Sequence, residues 1–301
     1  RHLSPRRGFL LAKLIYKLQF SEDTTMKICK TLLTALLSCT LLLGGTTAMA
    51  QTREEAANTA AQSLFTKNDP TDIKNEPELS AISKKFIYND INKQIKLSTA
   101  KQELLTLVVL TANNTPEDIP AHAEGALRAG ATPEQIHESI FHCTPYVGLP
   151  KVKSALERVD QVMEMLKIKP CAPAGTTTDE TRHDAGLAVQ RAIFGAENIN
   201  KMNAGAPADQ KHINDYLSAN CFGDYYTRKV LDVKERELIT FTAIATLGGC
   251  EPQAKAHAAA NISVGNSRQD LLDALTIALP YIGYPRTLNG LGCVNAVAPS
   301  K

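Results

Sequence analysis

Hydrophobic residues in this chain gather in long segments and do not alternate with polar ones. Two such segments, 104–112 and 238–247, each follow a glutamate directly and are apolar on nearly every side. A segment of this length that is apolar all round predicts a helix buried in a protein core. No sustained alternation of period two occurs, which argues against β-strands. The pattern therefore predicts an all-α protein.

Helix starts can be read from capping residues. Thr132 stands as an N-cap before Pro133, and Gln135 is the third residue after the cap. Such an arrangement is a capping box with proline at the first helical position. Similar starts are predicted at 232–235, just before the second apolar segment, and at 267–270. These signals mark helices that begin at related places in two parts of the chain.

The chain repeats itself. Nineteen residues lead from Glu103 to His122, and twenty lead from Glu237 to His257. Beyond the histidines the two stretches stay in a constant register of 135 residues, so that 145–150 (PYVGLP) matches 280–285 (PYIGYP). Gly and Pro punctuate this Tyr-x-Gly-x-Pro element, which should end one helix and begin another. One unit present twice predicts two tandem helical bundles.

The repeat also sets the expected domain boundaries. We predict a first domain over 51–168 and a second over 179–297. The segment between them, 169–178 (KPCAPAGTTT), has the composition of a linker. Because tandem copies can mimic a homodimer, we expect the two bundles to bury their matching faces against each other.

The segment before the first domain has the features of a secretory signal peptide. Lys27 and Lys30 precede a short apolar run, and Ala48-Met49-Ala50 provides an A-x-A cleavage site. We expect a start at Met26, a signal peptide over 26–50 cleaved after Ala50, and an upstream non-native segment over 1–25. The mature protein would then be periplasmic or secreted, with no membrane span. The alternative is a lipoprotein anchored through Cys39.

Charge and cysteine content narrow the function further. The net charge is +2, but the first fifty residues carry a surplus of five positive charges, which leaves the rest mildly acidic. Nucleic acid is therefore not expected as a partner. Five cysteines remain after residue 50, and no two form a C-x-x-C pair. An odd number leaves at least one thiol free or paired between chains.

The repeated motif resembles the carboxymuconolactone decarboxylase family. Its features are Glu-Leu, then His, then a Gly-x-Thr/Ser element, then Tyr-x-Gly-x-Pro, and they occur twice. The second copy also resembles the opening of γ-carboxymuconolactone decarboxylases at 185–195 and 223–228. The wider superfamily includes alkylhydroperoxidase D-like proteins. The resemblance implies an all-α fold of two tandem helical bundles and a homo-oligomer, a trimer or hexamer of domains.

The redox branch of this superfamily uses a C-x-x-C pair between the glutamate and the histidine. The first copy has Thr115 and Asp118 at those positions, whereas the second has Cys250 and Gln253. Because a dithiol cycle needs a resolving thiol, this motif does not support disulfide-reductase chemistry. Cys250 has two interpretations: a reactive thiol near a helix start, or a small residue packed at a helix end. Cys143 is expected in the core.

The candidate catalytic residues are the paired histidines and glutamates, with Cys250 as the thiol candidate. An imidazole can act as an acid or base near neutral pH, although each histidine can equally be a buried residue bonded to its own glutamate. Substrate binding is predicted for Arg228 and Arg236, which could hold carboxylates, and for Tyr281, which could donate to an oxyanion. We group these three with the second copy and expect it to be the active one, since Gln102 replaces the arginine in the first. The catalytic candidates are Glu103, His122, Glu237, Cys250 and His257.

Three hypotheses follow. The first is a decarboxylase or related lyase that acts on a small carboxylated lactone or oxo acid, with histidine as the general acid/base and no metal or organic cofactor. The second is a thiol peroxidase that uses Cys250. The third is a non-catalytic helical oligomer or binding module. The lyase and peroxidase hypotheses predict different substrates. Convergence of Arg228, Glu237 and His257 on one pocket would favour an enzyme over the non-catalytic module.

Overall fold

The computed structural model describes residues 51–300. Every regular element within this range is a helix, and no strand occurs in it. The all-α prediction is confirmed. The expected signal peptide, the segment before it and Cys39 lie outside the described residues. None of the helices described is long and apolar enough to cross a membrane.

The first copy consists of short helices around one buried helix. A π-helical segment, Phe86–Ile91, follows directly after the helix Pro77–Lys85. The helices are α1 (Arg53–Leu64), α2 (Pro77–Lys85), α3 (Thr99–Asn113), α4 (Ile119–Arg128), α5 (Pro133–Phe141), α6 (Thr144–Val147) and α7 (Leu149–Met165).

The second copy begins after residues 166–181, which contain no helix, and has one more helix before its π-helical segment than the first copy has. A π-helical segment, Leu217–Tyr226, again precedes the buried helix. The helices are α8 (Arg182–Phe194), α9 (Ala196–Ala204), α10 (Lys211–Tyr216), α11 (Val233–Leu247), α12 (Glu251–Ser263) and α13 (Arg268–Val297).

The capping signals place the helices as predicted. The Thr132, Asp232 and Ser267 side chains each accept a hydrogen bond from the third residue of α5, α11 and α13, and that residue bonds back to the cap. Such caps satisfy backbone N–H groups that have no partner within the helix. The Tyr-x-Gly-x-Pro element breaks the helix in both copies, because Gly148 and Gly283 adopt φ values of 86° and 74°. Few side chains other than glycine tolerate this conformation.

The two apolar segments form the centre of the molecule. Helices α3 and α11 are buried along almost their whole length and pack against each other. One continuous hydrophobic core draws on both copies, from Leu107 and Val108 in the first to Phe241 and Leu275 in the second. The domain boundaries at 168 and 179 stay a prediction. The shared core means that the sites of the two copies are built next to each other.

Candidate active site

Each copy carries a histidine–glutamate pair. Nδ1 of His122 on α4 lies 2.7 Å from Oε2 of Glu103 on α3, and Nδ1 of His257 on α12 lies 2.8 Å from Oε2 of Glu237 on α11. An ionised carboxylate only accepts hydrogen bonds, so each Nδ1 carries the donated proton. Nε2 is then the nitrogen left for other chemistry in both pairs.

The tyrosines of the repeated Tyr-x-Gly-x-Pro element are exchanged between the copies. Tyr281 of the second copy stands edge-on to His122, with ring centroids 6.1 Å apart, and Tyr146 of the first copy stands edge-on to His257 at 6.0 Å. This differs from the sequence-based grouping, which placed Tyr281 with His257. The register of the repeat shows which residues correspond in sequence, but it does not show which histidine each tyrosine contacts. Each site is therefore assembled from both copies.

The His122 pair is closed to solvent. The His122 side chain is 1% exposed, and the ring of Phe65, which follows α1, stands edge-on to it at 5.4 Å. Only about 30 Å³ of space adjoins the imidazole. His122 and Tyr88 both border this space, and His122 Nε2 has no hydrogen-bond partner among residues 51–300. The space is large enough for about one water molecule, and no organic substrate fits there.

The His257 pair opens onto a large cavity. The cavity has a volume of about 750 Å³, and the His257 side chain, 12% exposed, forms part of its wall. Phe194, the last residue of α8, stands edge-on to the imidazole at 5.3 Å. Most of the wall is aliphatic or aromatic. These residues include Phe194, Ile199, Met202, Leu217, Phe222 and Ile244.

A chain of hydroxyl groups supports Glu237 from behind. The Tyr226 hydroxyl donates to Oε1 of Glu237 at 2.6 Å, and the Tyr146 hydroxyl donates to that of Tyr226 at 3.2 Å. Burial, and next to it the negative charge of Glu237, raises the pKa of Tyr226 well above its usual value. The phenol therefore keeps its proton and remains a donor. Both carboxylate oxygens of Glu237 are thus engaged, one by Tyr226 and one by His257.

The arginines expected to bind substrate lie elsewhere. Arg228 forms a bidentate pair with Glu138 of the first copy, at 2.8 and 3.1 Å. The Arg236 side chain is 0% exposed and binds the same carboxylate at 3.1 Å, as well as the carbonyl oxygens of Arg228 and Lys229. Neither arginine lines the cavity beside His257. The structure therefore brings Glu237 and His257 together and leaves both arginines in an internal ion pair.

His142 connects that ion pair to the site. Its Nδ1 accepts from Nη1 of Arg236 at 3.2 Å, so its Nε2 donates to the Thr240 hydroxyl at 3.1 Å. Burial and the neighbouring Arg236 hold the pKa of His142 well below its usual value, which keeps the ring neutral. Thr240 lies 3.1 Å from the Tyr226 hydroxyl. A continuous polar chain thus runs from Arg236 to Glu237.

Sequence reasoning missed Tyr146, Tyr226 and His142 as parts of the site. The signals were present for two of them: Tyr146 belongs to the repeated Tyr-x-Gly-x-Pro element, and Tyr226 lies in the 223–228 segment that carried the family resemblance. His142 has no counterpart in the second copy, where the register places Ile277. A search for repeated residues therefore passes over it.

Cysteines line the same cavity. Cys250 is the N-cap residue of α12 and borders the cavity together with His257, and Cys221 borders it from the π-helical segment. Burial raises the pKa of the Cys221 thiol to about 12. No disulfide is present among residues 51–300, and Cys143 is buried in the core as predicted. Within the same range, no three His, Cys, Asp or Glu side chains are grouped as metal ligands would be.

The comparisons agree with this architecture. The family model described as "Carboxymuconolactone decarboxylase family" matches residues 77–161 and 212–296. A curated relative, 4-carboxymuconolactone decarboxylase of Acinetobacter baylyi (strain ATCC 33305 / BD413 / ADP1), is 27% identical over 86 residues. That match covers 29% of this chain and 64% of the relative. With two matches that together span more than half of its length, the chain belongs to the carboxymuconolactone decarboxylase family.

Proposed function

We propose that this protein is a cofactor-free decarboxylase or related lyase, in which His257 acts as the general acid/base on a carboxylated lactone or oxo acid. The observation that carries the proposal is the His257–Glu237 pair at the wall of a cavity of about 750 Å³. A pocket of this size is typical of small-molecule sites. The 4-carboxymuconolactone decarboxylase relative supports the choice of reaction class.

The chemistry needs one proton delivered to carbon. When the carbon–carbon bond to the carboxylate breaks, carbon dioxide leaves and the electron pair spreads through the conjugated double bond to the carbonyl, giving a dienolate. The protonated imidazole of His257 then donates its Nε2 proton to the far carbon, and solvent returns a proton to the ring. Glu237 holds Nδ1–H throughout and stabilises the imidazolium. Tyr226 fixes the carboxylate in the orientation that this requires.

The lining of the cavity favours loss of a carboxylate. No lysine or arginine is among its described lining residues, so a carboxylate that lies away from the protonated imidazole of His257 meets uncharged side chains. An ionised carboxylate is destabilised in apolar surroundings, whereas the transition state spreads that charge over a conjugated system. The difference lowers the barrier. In this proposal the apolar wall promotes loss of the carboxylate, and Arg228 and Arg236 do not bind it as the sequence suggested.

Two further expectations complete the proposal. The A-x-A site before Gln51 supports cleavage after Ala50 and export to the periplasm or beyond. The family resemblance supports a homo-oligomer, a trimer or hexamer of domains. The mass of the exported protein and light scattering on the purified protein test these two expectations independently of activity.

A second candidate function is a thiol peroxidase that uses Cys250. It is favoured by one observation: Cys250 borders the same cavity as His257. Its thiolate would attack a hydroperoxide, break the O–O bond and become a sulfenic acid while the alcohol leaves, and a second thiol would then form a disulfide with it and release water. An external dithiol reductant would restore both thiols. Cys293 lies nearby, since its Sγ donates to the carbonyl of Glu251 at 3.5 Å.

Three variants separate these functions. Activity should be measured for His257→Ala, His122→Ala and Cys250→Ser against lactone acids, oxo acids and hydroperoxides. We expect His257→Ala to lower lyase activity by about 10²- to 10⁴-fold, the usual effect of losing a general acid. His122→Ala should mainly lower stability, and Cys250→Ser should leave lyase activity unchanged.

The other outcomes are equally clear. Loss of hydroperoxide turnover in Cys250→Ser alone would favour the peroxidase. Full lyase activity in His257→Ala would contradict the proposal. If the wild-type protein turns over none of these substrates, the hypothesis of a non-catalytic binding module is favoured.

A further inference from the structure

One segment of the first copy forms the back of the site in the second copy. Glu138, His142 and Tyr146 follow one another at intervals of four residues along α5 and α6, the spacing that places side chains on one face of a helix. Glu138 forms an ion pair with Arg236 of the second copy. His142 and Tyr146 belong to the hydrogen bonds that lead to Glu237.

The direction of these hydrogen bonds is fixed from both ends. A guanidinium only donates, so Nδ1 of His142 accepts from Arg236 and the proton of the neutral ring is on Nε2, which donates to the Thr240 hydroxyl at 3.1 Å. A carboxylate only accepts, so the Tyr226 hydroxyl gives its proton to Glu237 at 2.6 Å. The Thr240 hydroxyl, which lies 3.1 Å from the Tyr226 hydroxyl, is therefore the donor between them.

The first copy shows what the corresponding threonine does without this histidine. The register places Thr106 at the position of Thr240, and Ile277 at the position of His142. The isoleucine side chain has no hydrogen-bonding group, and the Thr106 hydroxyl donates to the carbonyl of Gln102, four residues earlier on its own helix, at 3.0 Å. Threonine in a helix commonly turns back to its own backbone in this way. The Thr240 hydroxyl instead lies between His142 and a tyrosine.

We infer that His142 is a positioning residue for the site beside His257. By donating to Thr240 it directs that hydroxyl towards Tyr226, and the Tyr226 hydroxyl in turn holds Glu237 in the orientation that accepts the Nδ1 proton of His257. Hydrogen bonds arranged in one direction strengthen one another. The inference rests on the proposed function for the step that it supports, proton donation by His257. It gives the first copy a role in that step although its own histidine is closed to solvent.

Replacing His142 with residues of different hydrogen-bonding ability in the full chain tests this inference. His142→Ile introduces the residue of the first copy and removes both hydrogen bonds, whereas His142→Gln keeps an acceptor for Arg236 and a donor for Thr240. We expect His142→Ile to lower kcat for a lactone or oxo acid that the wild-type protein turns over by about three- to tenfold, the value of one neutral hydrogen bond. His142→Gln should restore kcat to within about twofold of the wild-type value.

The effect should be confined to kcat. His142 lies outside the described lining of the cavity, so KM should change by less than about twofold in both variants. His137→Ile is the matched control, because His137 lies on the same helix, stacks on Phe141 and is not part of the hydrogen bonds that lead to Glu237. It should leave both kinetic constants unchanged.

A double-mutant cycle separates positioning from a general loss of structure. If His142 acts through the Tyr226 hydroxyl, the double variant of His142→Ile and Tyr226→Phe should have the kcat of Tyr226→Phe alone. Thr240→Val cuts the same chain one bond further on with little change of shape. It should show the same loss and the same non-additivity, and it keeps the test available if His142→Ile does not fold.

¹⁵N NMR of the imidazoles provides a readout that needs no turnover. In the wild type, His142 should carry its proton on Nε2, and neutral His257 should carry its proton on Nδ1. In His142→Ile and in Thr240→Val, the Nδ1 tautomer of His257 should lose population, and in His142→Gln it should not.

Additive losses in the double variants would overturn the inference, and so would equal losses in His142→Gln and His142→Ile or a proton on Nδ1 of His142. If the His257 tautomer changes as expected and no lactone or oxo acid is turned over, the inference stands and the proposed function fails. If turnover depends on His257 but is unaffected by His142→Ile and Thr240→Val, the proposed function stands and the inference fails.

Discussion

The two copies hold the same histidine–glutamate pair and differ in what surrounds it. The Nδ1–Oε2 distances are 2.7 and 2.8 Å, yet about 30 Å³ adjoins His122 and about 750 Å³ adjoins His257. The pair itself therefore does not decide whether a copy can bind a ligand. The covering helices decide it.

The residues that cover the imidazole differ because the second copy has a longer connection before its histidine. From Phe65 to His122 the chain runs 57 residues, and from Phe194 to His257 it runs 63. The longer connection includes α9, which contributes Ile199 and Met202 to the cavity wall. In the first copy, Leu64 and Phe65 pack with Tyr88 in a small buried cluster over His122. One copy of the motif is thus sealed by its own N-terminal segment.

The polar residues behind the glutamate also differ between the two copies. The register of 134 residues that relates Glu103 to Glu237 places Asn92 where the second site has Tyr226. Beyond the histidines, the register of 135 places Ile277 where that site has His142, and both Asn92 and Ile277 border the small space beside His122. Gln102 corresponds to Arg236 and donates to the Leu97 carbonyl. The site with the open cavity is the one with the hydroxyl chain behind its glutamate.

Removing the aromatic cover should affect the two copies unequally. Phe65→Ala deletes a buried ring and should lower the free energy of unfolding by about 3–5 kcal/mol. Phe194→Ala is the matched change at a half-buried ring that borders the open cavity, so its cost should be smaller. Urea unfolding followed by circular dichroism measures both values. Equal losses would mean that the two covers are packed alike.

Converting Arg236 to the residue of the first copy tests the role of the buried ion pair. Arg236→Gln leaves Glu138 with Arg228 alone and should lower the free energy of unfolding by about 3 kcal/mol. Because Arg236 lies outside the cavity, KM for any substrate that is turned over should stay within about twofold of the wild-type value. Lys229→Gln is the exposed control. A large rise in KM at unchanged stability would contradict this prediction and indicate that Arg236 binds the substrate.

Removal of the Tyr226 hydroxyl should give the smallest of these effects. Tyr226→Phe deletes the donor to Oε1 of Glu237, and we expect about a tenfold loss in kcat, close to the value of one charge-assisted hydrogen bond. Tyr225→Phe is the control. ¹⁵N NMR of the imidazole gives a second readout, because neutral His257 should carry its proton on Nδ1 in the wild type and populate both tautomers in the variant.

An unchanged tautomer together with unchanged kcat would show that Tyr226 only fills space. Loss of activity in Tyr225→Phe to the same extent would show a general loss of structure and not a loss of orientation at Glu237. Either result would mean that the hydroxyl chain behind Glu237 does not contribute to activity. The open cavity alone would then distinguish the second copy.

The fold was largely predictable from the sequence, and the site only in part. Apolar segments and capping boxes are local signals, so the buried helices and the starts at Thr132 and Ser267 could be read directly. The pairing of Glu237 with His257 followed from the repeat. The exchange of Tyr146 and Tyr281 did not, because it depends on how the copies pack. The capture of Arg228 by Glu138, about ninety residues away, is a tertiary contact with no local signature.

Chemical access to the two imidazoles tests the central claim most directly. Diethyl pyrocarbonate reacts with a neutral imidazole, and in both pairs Nδ1 is held by the glutamate, so Nε2 is the nitrogen that the reagent must reach. Modified peptides can be quantified by mass spectrometry against His183, whose side chain is 44% exposed. We predict that His257 is modified while His122 remains intact under native conditions, and that both react after unfolding. Modification of His122 at the same rate as His257 would contradict the account.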